Sequence, residues 1–102
     1  MRRKVPELYY RSSRICRVLG NPTAYQILKT IARGEKNPSH IAQELKLSLP
    51  TVSATLRHLR QLDLVRYENL KDGKIYFIKD NTIISIMKQI EQLITRIKTR
   101  DY

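Results

Sequence analysis

The chain has 102 residues, with 20 Lys plus Arg against nine Asp plus Glu and a formal charge of +11. That length suits one domain, residues 1–102, on a single modest core, and a hydrophobic fraction of 41% fits a folded globule, not a disordered chain. A cationic excess of this size favours a polyanion as partner, nucleic acid ahead of an anionic membrane surface, and no apolar run nears the ~20 residues of a membrane span.

Arg2, Arg3 and Lys4 open the chain as a basic arm, and no apolar signal segment follows them, so a cytoplasmic protein associated with the nucleoid is expected. The single cysteine, Cys16, excludes an internal disulfide and a Cys-rich metal cluster. Residues 6–19 set Leu8, Ile15, Cys16, Val18 and Leu19 among Arg11, Arg14 and Arg17, the pattern of a part-buried, strongly basic helix. With Glu7 alone opposing them, the cations of arm and helix (1–19) are assigned to phosphates. Cys16, beside Ile15 and one turn before Leu19, reads first as a buried, inert thiol. The sharper alternative puts it near a two-fold axis, in a disulfide between subunits.

Gly20–Asn21–Pro22 ends that helix, and Asn21 with Pro22 forms an N-cap followed by an N1 proline. The second helix presents Ala24, Ile27, Leu28, Ile31 and Ala32 inward, and Gly34 stops it. Asn37–Pro38 repeats the start signal for a short helix with Ile41, Ala42 and Leu45 inward and His40, Gln43 and Glu44 outward. Lys46–Leu47–Ser48 is then a three-residue turn into a further helix, which makes a helix-turn-helix.

Residues 48–62 are the most informative stretch. Ser48 can cap the orphan N–H groups of the first turn, where Pro50 is tolerated. Val52, Leu56, Leu59 and Leu62 recur three or four apart and share a buried face. Thr51, Ser53, Ala54, Arg57 and His58 lie on other faces, and the stretch contains no acid. Short side chains let a helix enter a DNA major groove, and the missing carboxylates spare it phosphate repulsion. Ser48, Pro50, Thr51, Ser53, Ala54, Arg57 and His58 are therefore the candidate DNA-facing residues of a recognition helix.

After Leu62 the period changes from helix to strand. Residues 64–69 and 74–78 read as two strands, and Asp72–Gly73 falls where a hairpin turn needs positive φ. The result is a small wing, 64–78, with Lys71 and Lys74 flanking its tip for contact with the DNA backbone or minor groove. Asn81 or Thr82 caps a last helix, 82–98, carrying Ile83, Ile86, Met87, Ile90, Leu93, Ile94 and Ile97. Burying one aliphatic side chain is worth roughly 1.5–3 kcal/mol, so leaving all of these wet would forfeit a large stabilisation. They are assigned to a symmetric dimer, together with Leu8, Ile15 and Cys16 of the first helix. Such a dimer would place two recognition helices about one DNA turn apart.

In this order of elements the chain resembles the small ArsR/SmtB-type winged-helix transcriptional repressors, over about residues 16–97. The resemblance rests on Leu19–Gly20–Asn21–Pro22–Thr23 with Ile27–Leu28, then Ile41–Ala42–Gln43–Glu44–Leu45, Leu47–Ser48, Thr51–Val52–Ser53 and Leu56–Arg57–His58–Leu59. Leu64–Val65 followed by Gly73–Lys74–Ile75–Tyr76 matches the family's wing. It implies a mainly α fold with a small β-hairpin, a winged helix-turn-helix in the order α-α-α-α-β-β-α.

The departures bear on function. Where the family usually has Arg and Leu after Asn-Pro-Thr, Ala24 and Tyr25 stand here. Lys46 replaces the turn glycine, so it either turns left-handed, at roughly 1 kcal/mol, or bends the turn another way. Ala54–Thr55 replaces a pair that is commonly Arg-His, which removes a bidentate guanine contact and leaves Ala54 to meet a thymine methyl. Asp63 stands where the family tends to have Gly. Metal-sensing members carry a thiolate pair at the positions of Asn37 and Ser39, and neither residue supplies a soft ligand. The alternative sensor site on the last helix needs His and acidic ligands, yet residues 82–98 offer Glu91 and no His. His40 and His58 have no ligand partners at useful spacing, so neither metal nor cofactor is expected.

The expected function is a dimeric transcriptional regulator of the repressor type that binds double-stranded DNA. An architectural, weakly sequence-specific DNA-coating protein is the alternative. An enzyme is not expected, because paired carboxylates, a Ser/His/Asp set and a phosphate-cradling glycine loop are all missing.

Overall fold

The computed structural model describes residues 4–99, and Arg2 and Arg3 lie outside them. Its elements run α1 (Glu7–Leu19), α2 (Pro22–Ala32), α3 (Pro38–Leu45), α4 (Leu49–Gln61), β1 (Val65–Leu70), β2 (Gly73–Ile78) and α5 (Thr82–Thr99). Three of the helix starts follow the polar residues read as caps. The Asn21 side chain accepts the Ala24 N–H at 3.0 Å, Asn37 accepts that of His40 at 2.8 Å, and Ser48 accepts that of Thr51 at 3.3 Å. At α5 the accepting side chain is instead that of Asp80, which takes the Thr82 N–H at 2.9 Å. That bond, together with one from the Thr82 side chain, holds the Asp80 carboxyl below its ordinary range.

The apolar stripes of α2, α3 and α4 meet in one core. Ile27, Leu28, Ile41, Val52, Leu56 and Leu59 are fully buried there, joined by Val65 from β1 and Met87 from α5. Ala32, read as inward, is exposed, and beside Ile31 the other buried residue at that end of α2 is Thr30. The inward side of α1 is narrow. Val18 is buried and Ile15 and Leu19 pack partly against the core, but Cys16 is exposed, which overturns the expectation of a buried thiol.

Both positions where the resemblance led to glycine are left-handed in this chain. Lys46 has φ 56° and ψ 46°, so of the two alternatives for the turn it takes the strained one. The N–H groups that follow α3 compensate, since Leu47 donates to the Ala42 carbonyl at 2.9 Å. Asp63 has φ 67°, and its carboxylate accepts from Lys79, the contact that lowers its pKa most.

The strands β1 and β2 pair antiparallel from Val65↔Ile78 to Leu70↔Gly73 around the tip residues Lys71 and Asp72. Gly73 carries the positive φ, 121°, and Asp72 does not. Tyr76 of β2 also exchanges backbone bonds with Lys36, at 2.8 and 3.2 Å, so the segment before α3 anchors the base of the wing.

Candidate nucleic-acid interface

The first turn of α4 is locked by its own hydroxyls. Ser48 Oγ donates to Thr51 Oγ1 at 2.8 Å, and Thr55 Oγ1 donates to the Thr51 carbonyl at 2.9 Å. With Val52, Leu56 and Leu59 buried, the 3.6-residue period divides the rest of α4 into a front and two flanks. Pro50, Ala54 and Arg57 lie on the front, and all three are exposed. Half-buried Ser53 and exposed Arg60 border the flank beside the wing. Thr51, Thr55 and His58 border the flank toward the corner between α1 and α2.

The wing-side flank is tied to β1 through an aromatic ring. The Lys74 ammonium lies 4.4 Å from the centroid of the Tyr67 ring and the Arg60 guanidinium 5.5 Å from it. Tyr76 stacks behind Tyr67 at 5.4 Å with the rings tilted by 44°. Burial pushes the Tyr76 phenol up, while the charges of Arg60 and Arg57 pull it the other way. Neither Tyr67 nor Arg60 is among the candidates named from the sequence; the one signal for them is an aromatic residue alternating with cations along the hairpin. Lys71 and Lys74 are exposed at the tip, and Lys4 is exposed ahead of α1.

The stripe on α5 divides in two. Ile83 and Met87 are 5% and 0% exposed and belong to the subunit's own core, so their assignment to a dimer face is corrected. Ile86, Ile90, Leu93, Ile94 and Ile97 remain 40–49% exposed, and Leu8 on α1 is 70% exposed. The orientation of α5 is set from α2, where the Tyr25 hydroxyl donates to Glu91 at 2.5 Å and the Lys29 ammonium pairs with Glu91 at 3.0 Å. Burial first, then the Glu91 carboxylate, pushes the Tyr25 phenol from 10.0 up to about 12, and the same contacts hold Glu91 below its ordinary range. Tyr25, a departure from the family pattern, is therefore a tether between two helices.

Among the described residues no three His, Cys, Asp or Glu side chains gather into a metal site. Asn37 is engaged as a helix cap and Ser39 offers a hydroxyl, so the segment does not fit a thiophilic metal. No helix among the described residues is long and apolar enough to cross a membrane.

Comparison with known proteins agrees with the order of elements. The family model described as "Bacterial regulatory protein, arsR family" matches residues 21–67, from the cap of α2 into β1. An uncharacterized HTH-type transcriptional regulator of Methanocaldococcus jannaschii is 31% identical over 88 residues, covering 85% of this chain and 99% of the relative. A Synechocystis protein named as a transcriptional repressor SmtB homolog is 28% identical over 72 residues, 71% of this chain and 54% of that protein. Among solved structures, the homodimeric winged helix-turn-helix domain of a Mycobacterium bovis protein superposes with a TM-score of 0.83 at 22% identity. That match covers 100% of this chain and 97% of the other.

Proposed function

The chain belongs to the ArsR family of winged helix-turn-helix transcriptional regulators, and from that premise we propose that it acts as a homodimeric repressor that lays α4 in the DNA major groove. Two features support this. The exposed face of α4 is acid-free and cationic, and α5 carries a separate apolar face that the subunit leaves uncovered. Ala54, Arg57 and Ser53 read base edges, while Ser48, Pro50, Thr51 and His58 lie along the groove wall. Lys71 and Lys74 meet backbone or minor groove, with Arg2, Arg3 and Lys4 extending the phosphate contacts. Ile86, Ile90, Leu93, Ile94 and Ile97 form the dimer seam, flanked by Leu8, Ile15 and Cys16 of α1. The exposure of Cys16 is the sole feature favouring a disulfide between subunits, and the dimer does without it. Repression follows from occupying an operator, as the name of the SmtB homolog implies for that protein.

The small side chains of Ala54 and Thr55 also favour a second reading, an architectural protein that coats DNA with little preference. One experiment separates the two: selection of bound duplexes from a random pool at physiological salt. A regulator enriches one palindrome, whereas flat enrichment with steep salt dependence identifies the architectural protein.

A further inference from the structure

We propose that the cleft between the α1–α2 corner and α4 binds a small organic carboxylate, and that its occupancy weakens DNA binding. The cleft measures about 370 Å³, at the lower end of the range for small-molecule sites. Its floor is apolar and short: Val18 and Ala24 are 5% and 4% exposed, and Ala54 closes the α4 side. Its rim is polar and cationic, with Arg17 from the last turn of α1, His58 and Thr55 from α4, and Asn21 at the corner. The Arg17 guanidinium and the His58 ring make no hydrogen bond or ion pair among the described residues, so both are available to a ligand. Asn21 Oδ1 is engaged by the Ala24 N–H, which leaves its amide NH₂ to donate.

Three of the lining residues, Ala24, Ala54 and Thr55, stand where the family resemblance led to the larger side chains of Arg, Arg and His. Their truncation is what opens the space, and it does so at one place. Three donor groups, on Arg17, His58 and Asn21, over a shallow apolar floor match a carboxylate carrying a short hydrophobic body. Ala54 borders both the cleft and the groove-facing front of α4, so a ligand resting on it competes with DNA for the same helix. The carboxylate site stands on the cleft alone; its effect on DNA rests on the function proposed above.

The test uses the full chain labelled with ¹⁵N and benzoate as the probe, against sodium chloride at equal ionic strength. Benzoate is expected to shift the Asn21, Ala24, Ala54 and Thr55 amide resonances saturably. Those shifts should vanish in Arg17→Gln, whose spectrum elsewhere reports an intact fold. It should also raise the apparent Kd of the wild-type protein for a labelled duplex several-fold. No saturable shift at these amides would overturn the proposal. So would equal shifts from inorganic phosphate, which would mark the cleft as a seat for a DNA phosphate. A protein that takes benzoate but binds no duplex, even without it, would remove the DNA reading and with it the second half of the proposal, leaving the carboxylate site standing.

Discussion

The helices α4 and α5 are both amphipathic and both bury one face in the same core, yet their outer faces are opposites. On α4 the outside is short, polar and cationic, with no carboxylate along residues 48–62. On α5 the outside is Ile86, Ile90, Leu93, Ile94 and Ile97, each at least 40% exposed. An outer face reports its partner: cationic and small for a polyanion, aliphatic for a second aliphatic surface. One subunit thus carries two chemically opposite exposed faces on two helices joined through a wing, which the proposed function assigns to DNA and to a second subunit.

The largest break in that contrast comes from charging the α5 seam. Ile90→Glu with Ile94→Glu should give monomers by sedimentation with an unchanged far-UV spectrum. Operator affinity should fall by roughly 10²–10⁴, the factor that linking two half-sites supplies. A persisting dimer would assign the interface elsewhere. Next is the inner side of the same helix. Met87→Ala should cost roughly 2–5 kcal/mol in denaturant unfolding, because its side chain is fully buried, whereas Ile90→Ala should cost the isolated subunit far less. Similar losses in the two variants would contradict the division of the stripe.

On α4, Arg57→Ala should cost roughly 1–3 kcal/mol of operator binding and blur base preference. Lys71→Ala should lower affinity evenly across sequences and reduce the salt slope by about one. Tyr67→Leu sharpens the link between helix and wing. Its cations stay but lose their platform, an effect of about 0.5–1 kcal/mol on DNA affinity at an exposed site, read by anisotropy. The smallest effect concerns the α2–α5 tether. Tyr25 is raised when folded, so its contribution to stability is complete below about pH 10 and lost as pH rises through about 12. Glu91 is lowered when folded, so its contribution is present above the ordinary carboxylate range and lost as acid titrates it. Tyrosinate absorbance should show a late component near pH 12 that disappears in Tyr25→Phe.

Local chemistry made most of the fold legible. Asn21, Asn37 and Ser48 each cap within three residues of themselves, and the turn of the hairpin spans two residues, so neither needs distant information. The misses are non-local. Ile83 and Met87 read the same as Ile86 and Ile90 in an apolar stripe; which pair turns inward is fixed by Tyr25 and Lys29 holding Glu91 across more than sixty residues. The Lys36–Tyr76 bridge also joins segments that no short window contains, and the Arg60–Tyr67–Lys74 stack, though it lies within fifteen residues, depends on how β1 and β2 fold back against α4. Cys16 was misjudged because an apolar neighbour does not set which way a helix faces. The candidate α4 face was legible because its cap, its spacing and its missing acids lie within fifteen consecutive residues.

The most direct test is a dimethyl sulfate footprint on the selected operator, which reads guanine N7 in the major groove. Two α4 helices carried by one dimer predict two protected major-groove patches centred about 10 base pairs apart, both lost in Arg57→Ala. Protection of a single patch, or uniform weak protection along the duplex, would contradict it.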